Sequence, residues 1–293
     1  MKIAVYSRFL KKEHIPFVQL LIDLLQQRGT QLFFFEEYYK SFEKKLMVPS
    51  DIQFFTAYED FKQHNIDFVI TLGGDGTILD AVTIVQDTNV PIMGINLGRL
   101  GFLAMIEKNQ IEAAIDVLYS NSYALDSRSL LYLESSLPIF GDKNFALNDF
   151  TILKRDTSSM VIIHAYVNGE FLNSYWADCI IVATPTGSTG YSLSCGGPII
   201  FPKSGNLIIT PVAPHNLNVR PIVLSDNSVI SFEVEGRAKN FLCTLDSRYA
   251  TIDNHFQLAV RKADFQIKLF RFTDRNFLYM IREKLKWGID SRN

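Results

Sequence analysis

Thr71-Leu72-Gly73-Gly74-Asp75-Gly76-Thr77 is the stretch on which the fold turns. A largely apolar run, Ile66 to Leu72, ends abruptly in three glycines around one carboxylate, and a helical pattern follows. That order predicts a buried strand, a tight loop and a helix N-terminus. Backbone can approach a phosphate closely there, because glycine has no Cβ, and free N–H groups at a helix start attract anions. Yet Asp75 puts a negative charge where a plain phosphate cradle would avoid one. Facing a nucleotide, such a carboxylate serves as a general base or a metal ligand. In an ordinary strand-to-helix turn it would be an N-cap.

A second segment points the same way. Ala183 to Pro198 (ATPTGSTGYSLSCGGP) holds Thr184, Thr186, Ser188, Thr189, Ser192 and Ser194 with Gly187, Gly190, Gly196 and Gly197. It follows the apolar run Cys179 to Val182. Gly/Ser/Thr-rich stretches can be flexible linkers, but this one contains Tyr191 and Leu193 and lies between strands. It reads as a hydrogen-bonding loop at a polar ligand.

The rest of the chain sets bounds. Its 293 residues suit two domains, and 47% hydrophobic with 20% charged residues supplies globular cores. A net charge of −2 and the absence of a long basic run give no footprint for nucleic acid. Cys179, Cys195 and Cys243 form neither a metal pattern nor a disulfide framework, which fits a reducing cytoplasm. Residues 1–6 read as a first strand rather than a signal peptide, and no stretch is apolar for long enough to span a membrane.

Residues 1–121 alternate strand and helix. Strands are predicted at Ile3–Tyr6, Gln31–Phe35, Phe68–Leu72 and Pro91–Ile95. Helices are predicted at Pro16–Arg28 (stopped by Gly29), Thr77–Gln86 and Gln110–Tyr119. The alternation argues for a Rossmann-like parallel α/β domain, with ligands beyond the carboxyl ends of the strands, where Asp75 and Asn96 fall. From 122 to 270 helical periodicity disappears. Val161–Val167 followed by Asn168-Gly169 is a hairpin signal, and Ser228–Val234 and Phe265–Phe272 are β-rich. This segment reads as an all-β domain, a sandwich. Residues 271–293 return to a helical pattern, Asp274 to Lys286. The natural site for the glycine loop and the hydroxyl-rich loop together is a domain interface. The aromatic cluster Phe33-Phe34-Phe35 with Tyr38-Tyr39 reads as strand core running into a loop that covers the site.

GGDGT at 73–77, Asn96 to Leu103 (NLGRLGFL), Leu147-Asn148-Asp149 and TPTGSTGYSLSCGGP at 184–198, in this order, resemble the NAD kinase family (ATP- or polyphosphate-dependent) over essentially the whole chain. Asp178, Pro214-His215-Asn216-Leu217, Arg220-Pro221-Ile222-Val223 and Asp246-Ser247-Arg248 add to the likeness. GGDGT alone is also similar to motifs of diacylglycerol-type lipid kinases and phosphofructokinases; the long Thr/Ser/Gly motif after an Asn-Asp pair is far more specific.

The resemblance implies transfer of a phosphoryl group from ATP or polyphosphate to the 2′-hydroxyl of the adenosine ribose of NAD, giving NADP. It implies Asp75 as catalytic base, and Gly73, Gly74, Gly76 and Thr77 at the donor phosphates. Mg²⁺ or another divalent metal would arrive with ATP rather than in a protein metal site. For NAD it implies Asp75, Gly76, Phe102, Asn148, Asp149, Trp176, Asp178, Thr189, Gly190, Tyr191, Ser192, Leu193, Ser194 and Arg248. Asp149 and Asn148 would take the ribose hydroxyls, which suits a carboxylate and an amide. Asp178 would reach the NAD of a neighbouring subunit; buried next to Cys179–Val182, it would be costly without such a partner. Trp176 stands where relatives often have a basic or small residue, and Gly190 where alanine is more frequent. Ser159 falls where some relatives place histidine, while Arg99 and Arg155 are further candidates for phosphate.

A homodimer or homotetramer built through the β domain and a cytoplasmic location complete the expectation, with no nucleic acid and no membrane as partner. Two alternatives are a diacylglycerol-type lipid kinase, which would need an apolar acceptor pocket, and a non-catalytic nucleotide-binding regulator, against which Asp75 speaks.

Overall fold

The computed structural model describes residues 1–42, 45–98, 101–155, 160–236 and 240–287. The chain divides into two compact units, residues 1–127 with 267–293, and residues 128–266.

The first unit opens with β1 (Lys2–Tyr6), α1 (Ile15–Gln27), β2 (Gln31–Phe35), α2 (Glu36–Phe42), β3 (Gln53–Phe55) and α3 (Tyr58–His64). It continues with β4 (Phe68–Leu72), α4 (Asp75–Val85), β5 (Ile92–Asn96), β6 (Ile106–Glu107) and α5 (Ile111–Tyr119). The strands run parallel in the order β5-β4-β1-β2-β3. Strands β4 and β5 are buried along their whole length, which is why both read as continuous apolar runs rather than alternating ones. Helix α1 turns Val18, Leu21, Ile22 and Leu25 inward and stops at Gly29, whose φ of +66° closes the turn with an N–H bond to Gln26 O.

Two expectations change here. Phe33 and Phe34 are strand core, but the chain then forms α2, and Tyr38 and Phe42 pack edge-on at 4.9 Å inside the hydrophobic cluster. The aromatic cluster therefore belongs to the core and not to a loop over the site. Helix α4 begins at Asp75 with Gly74 as its N-cap, and no side chain caps it. Asp75 is thus a first-turn residue whose carboxylate is directed elsewhere.

The second unit takes in most of β7 (Tyr123–Ser135), then β8 (Phe145–Ala146), β9 (Asp149–Lys154), β10 (Val161–Val167), β11 (Glu170–Ala177) and β12 (Cys179–Ala183). The short helix α6 (Tyr191–Ser194) precedes β13 (Asn206–Val212), β14 (Ile222–Ser225), β15 (Ile230–Glu235), β16 (Phe241–Leu245) and β17 (Arg248–Ile252). Strand β18 (Leu258–Phe272) gives this unit its first half and the first unit its end, where Leu269 pairs with Ile92; α7 (Phe277–Leu285) follows. One antiparallel sheet runs β14-β13-β12-β9-β16-β17, and β11-β10-β15-β18 forms the other. Their inner faces share one core, with Phe150 and Phe232 stacked at 5.9 Å. This is the predicted sandwich. The Asn168-Gly169 hairpin forms with both residues at positive φ, as its turn type demands.

Arg275 of the C-terminal segment bonds Gln110 Oε1 at 2.9 Å and Met105 O at 3.3 Å. Among the described residues no helix is long and apolar enough to cross a membrane.

Candidate active site

In the first unit the carboxyl ends of β1, β4 and β5 build one pocket. It is lined by Ser7, Arg8, Lys11, His14, Leu72, Gly73, Gly74, Gly76, Thr77, Asn96, Leu97 and Gly98, with Phe9 and Glu13. Backbone order fixes it. Ser7 Oγ donates to Leu72 O at 2.6 Å, tying the end of β1 to the end of β4, and Gly73 N donates to Ile95 O at 3.0 Å. Asn96 Oδ1 accepts from Gly98 N at 2.8 Å and turns the chain sharply after β5. A Cβ on Gly73 would lie 2.1 Å from Thr77 Oγ1, whereas one on Gly74 would meet nothing within 4 Å, so Gly74 presents bare backbone to the pocket.

Positive charge faces this loop from the β1 end. Arg8 forms a two-pronged ion pair with Asp80 of α4 and approaches Gly76 O at 3.5 Å; Lys11 lines the pocket beside it. Burial pushes the His14 imidazole below its usual range. The GGDGT motif pointed to this place, but Ser7, Arg8 and Lys11 carried no motif of their own. Only their position just after a first strand marked them.

Asp75 is placed unlike a free base. Its Oδ2 accepts from Phe102 N at 2.8 Å, and its Oδ1 from Leu103 N at 3.1 Å and Ala104 N at 3.0 Å. The carboxylate thus anchors the segment after β5. Gly101 allows the approach, since a Cβ there would fall 1.7 Å from Asp75 Oδ1. A carboxylate has about four acceptor sites, and one on Oδ2 remains. Phe102 sits on this anchored segment, half-buried, with Lys284 Nζ 6.0 Å from its ring centroid.

In the second unit Asn148 and Asp149 stand at the start of β9, next to the hydroxyl-rich loop. Thr184 grips the segment's carbonyls: its N donates to Asn148 O at 2.9 Å and its Oγ1 to Leu147 O at 2.6 Å. Gly187 presses so close that a Cβ would lie 2.0 Å from Asn148 O. A Cβ on Gly190 would be 3.7 Å from Asn148 Nδ2 and 3.9 Å from Asp149 Oδ2, so the loop and the pair border one spot. From below, Asp246 at the β16–β17 turn accepts from Leu147 N, Asn148 N and Asp149 N.

The electrostatics of Asp149 are unusual. The residue is only 7% exposed, and burial followed by the nearby Asp246 charge pushes its carboxyl up to about 7. Among the described residues no hydrogen bond offsets these two effects. A buried carboxylate in that condition gains most from a ligand that brings hydroxyl donors.

The loop's hydroxyls divide into two groups. Thr184, Ser188 and Ser192 are buried and bonded within the protein: Ser188 Oγ to Pro185 O at 2.6 Å, and Ser192 Oγ to Thr210 Oγ1 at 2.8 Å. A tight buried turn must satisfy its own polar groups, and these residues do so. Tyr191 and Ser194 are exposed, with Leu193 half-buried; Thr189 and Gly190 are half-buried, and Thr189 Oγ1 bonds Thr186 O at 3.1 Å.

Three further residues of the expected set have the following surroundings. Asp178 is not sealed in, and Lys154 neutralises it at 2.6 Å, so its charge is met within its own chain. Arg248 directs its guanidinium to Lys143 O and Phe145 O, which gives it a structural use. Trp176 is 51% exposed on β11. Arg155 is exposed, while Arg99 and Ser159 lie outside the described residues. No group of three His, Cys, Asp or Glu side chains among the described residues could hold a metal ion.

Known proteins match this arrangement along its whole length. The model of the ATP-NAD kinase N-terminal domain matches residues 3–123, and that of the ATP-NAD kinase C-terminal domain matches residues 147–272. The NAD kinase of Cytophaga hutchinsonii is 47% identical over 294 residues, and that of Flavobacterium psychrophilum 42% over 295, each match covering 100% of both chains. Among solved structures, yeast NADH kinase complexed with NADH superposes with a TM-score of 0.88 at 22% identity, covering 99% of this chain and 88% of that one. An NAD kinase from Archaeoglobus fulgidus in complex with ATP gives 0.72 at 24%, covering 93% and 94%. At these identities the two structures speak for the fold.

Proposed function

The chain belongs to the NAD kinase family, and on that premise we propose how its own residues divide the transfer of a phosphoryl group from ATP to the 2′-hydroxyl of the adenosine ribose of NAD. The observation that carries the assignment is Asp149, a buried carboxylate beside Asn148 and Gly190 with no offsetting hydrogen bond among the described residues. Two vicinal ribose hydroxyls supply the donors it lacks, and Asn148 adds a donor and an acceptor. Thr189, Gly190, Tyr191, Leu193 and Ser194 border the nucleotide; Ser192 acts from behind, holding α6 to β13 through Thr210.

The donor phosphates lie on Gly73, Gly74, Gly76 and Thr77 at the start of α4, with Arg8 and Lys11 neutralising charge. ATP is the donor, polyphosphate being the alternative. The divalent cation comes as part of the nucleotide. Asp75 uses the remaining site on Oδ2 to accept the 2′-hydroxyl proton as the phosphoryl group transfers. Phe171 and Trp176, both exposed on the edge strand β11, favour self-association through the β domain. The enzyme works in the cytoplasm as a homo-oligomer.

NADP formation by the purified protein with ATP, Mg²⁺ and NAD, run beside Asp75→Asn, tests the reading. Robust NADP from wild type and almost none from the variant is expected. No NADP from either, with NADH and polyphosphate also supplied, overturns it and directs attention to lipid acceptors.

A further inference from the structure

Asp246 is built into the second unit more firmly than a turn residue needs to be. Strands β16 and β17 are joined by two residues, Asp246-Ser247, and Asp246 takes φ +53°. Aspartate tolerates that left-handed conformation better than most residues. Its carboxylate then collects three consecutive backbone donors: Leu147 N on Oδ2 at 2.8 Å, with Asn148 N at 2.8 Å and Asp149 N at 3.2 Å on Oδ1. Its own N–H returns a bond to Asp149 O at 3.0 Å. Four bonds thus connect one residue to a three-residue segment.

Such a cluster of amides resembles the concave nests that bind anions, except that here the anion is a side chain of the same protein. Thr184 holds the carbonyls of the segment and Asp246 holds its amides. Between them the N–H and C=O of both Asn148 and Asp149 are bonded.

We propose that Asp246, which the assignment above gives no contact with NAD, is the positioning residue of the ribose-binding pair. By gathering the amides of Leu147, Asn148 and Asp149 on one carboxylate it fixes where both side chains stand. The inference rests on the assignment of Asn148 and Asp149 to the ribose. It has an electrostatic corollary. Burial first, and after it the Asp246 charge, disfavours ionisation of Asp149, so Asp246 contributes to the pH at which that carboxylate becomes a full acceptor; burial pushes the Asp246 carboxyl up as well, while the three amides and Arg248 favour its charged form. The other groups that feel this pair are Tyr191, Cys179 and Cys195 around Asp149, and Arg248 beside Asp246. Both thiols and the phenol are themselves pushed upward by burial, so they are neutral where Asp149 titrates. Arg248 carries a constant positive charge through that range.

Asp246→Asn is the informative change. The amide oxygen can still accept from Asn148 and Asp149, but an NH₂ replaces the acceptor of Leu147 N, and the charge is gone. The Michaelis constant for NAD should rise about 10- to 100-fold, with kcat and the constant for ATP within a few-fold of wild type. The pH midpoint of the NAD constant should move down, because Asp149 ionises more readily without a charged neighbour. Asp246→Glu keeps the charge but displaces it, so it should raise the constant for NAD and leave the midpoint near the wild-type value.

If Asp246 merely supports folding, both variants lose active enzyme while the constant for NAD and its pH midpoint stay put, and the proposal is overturned. Should Asp246→Asn fail to fold, Asp246→Glu alone decides: an unchanged constant for NAD is decisive against it. Asp149→Asn is run alongside. If that variant binds NAD normally, the ribose assignment itself has failed, which separates that outcome from a failure of the positioning role.

Discussion

Replacing Asp149 by Asn should stabilise the ligand-free protein above neutral pH, and the gain should fade in acid. The wild-type carboxyl titrates at about 7 in the folded chain against an ordinary 3.8. Its folded value is raised, so between those two pH values the native state holds a proton that the unfolded state has lost. Stability therefore falls as pH rises through that window and is flat above it. At 1.36 kcal/mol for each tenfold, the penalty above pH 7 reaches a ceiling of about 4 kcal/mol. At pH 4 it shrinks to below about 1 kcal/mol.

Asparagine is nearly isosteric and pays no such penalty. The assay is urea denaturation of both proteins without nucleotide at pH 8 and pH 4, comparing midpoints at equal slope. The variant should lead by up to about 4 kcal/mol at pH 8 and match wild type at pH 4. The same variant should bind NAD roughly 10- to 100-fold more weakly, the usual worth of a hydrogen bond to a charged acceptor. An equal difference at both pH values, or a wild type more stable at pH 8, would refute the reasoning. A site held ready for its ligand at a cost in stability is the trade-off expected of functional residues.

Other perturbations test the remaining geometry. Asp75→Asn removes the proton acceptor and sets an NH₂ against backbone donors; turnover should drop about 10²- to 10⁴-fold, with NAD affinity changed only a few-fold in a direct titration. Gly187→Ala drives a Cβ to 2.0 Å from Asn148 O, and should cost roughly 3 kcal/mol or more by denaturant unfolding. Gly190→Ala, whose Cβ would meet Gly187 O at 3.2 Å, should fold and retain activity within a few-fold. NAD binding should release a proton near pH 6.5, because ligand donors favour the ionised Asp149; calorimetric enthalpies in buffers of different ionisation heat would show it, and buffer independence would count against it.

Much of this was legible in the chain because the informative signals were local. Strands β2 and β4 fall at the predicted residues, since each is a short apolar run bounded by turn residues. The Asn168-Gly169 turn and the Gly29 stop needed only their own backbone preferences. What stayed hidden depended on distant partners. Helix α2 offered no clear helical stripe because Tyr38 and Phe42 are buried on one side while Glu36 and Lys40 pair on the other at 2.6 Å. Strand β18 runs for 15 residues across the unit boundary, and only its last part looked β-rich alone.

The two carboxylates most closely tied to backbone show why motif and role separate. Asp75 and Asp246 each accept from three consecutive amides, Phe102 to Ala104 in one case and Leu147 to Asp149 in the other. In sequence the first stands 27 to 29 residues from its donors and the second 97 to 99, so no local pattern could announce either contact. Asp75 attracted attention through its glycines, and Asp246 only as part of a short similarity near the end. Yet the physical device is the same in both: a buried or half-buried anion organises a loop by satisfying donors that would otherwise be left without partners. Asp149 is the counter-case: burial opposes its ionisation, and among the described residues no such donors offset it. On this chain, the carboxylates that fold the site and the carboxylate that awaits a ligand are told apart by where their hydrogen bonds already go.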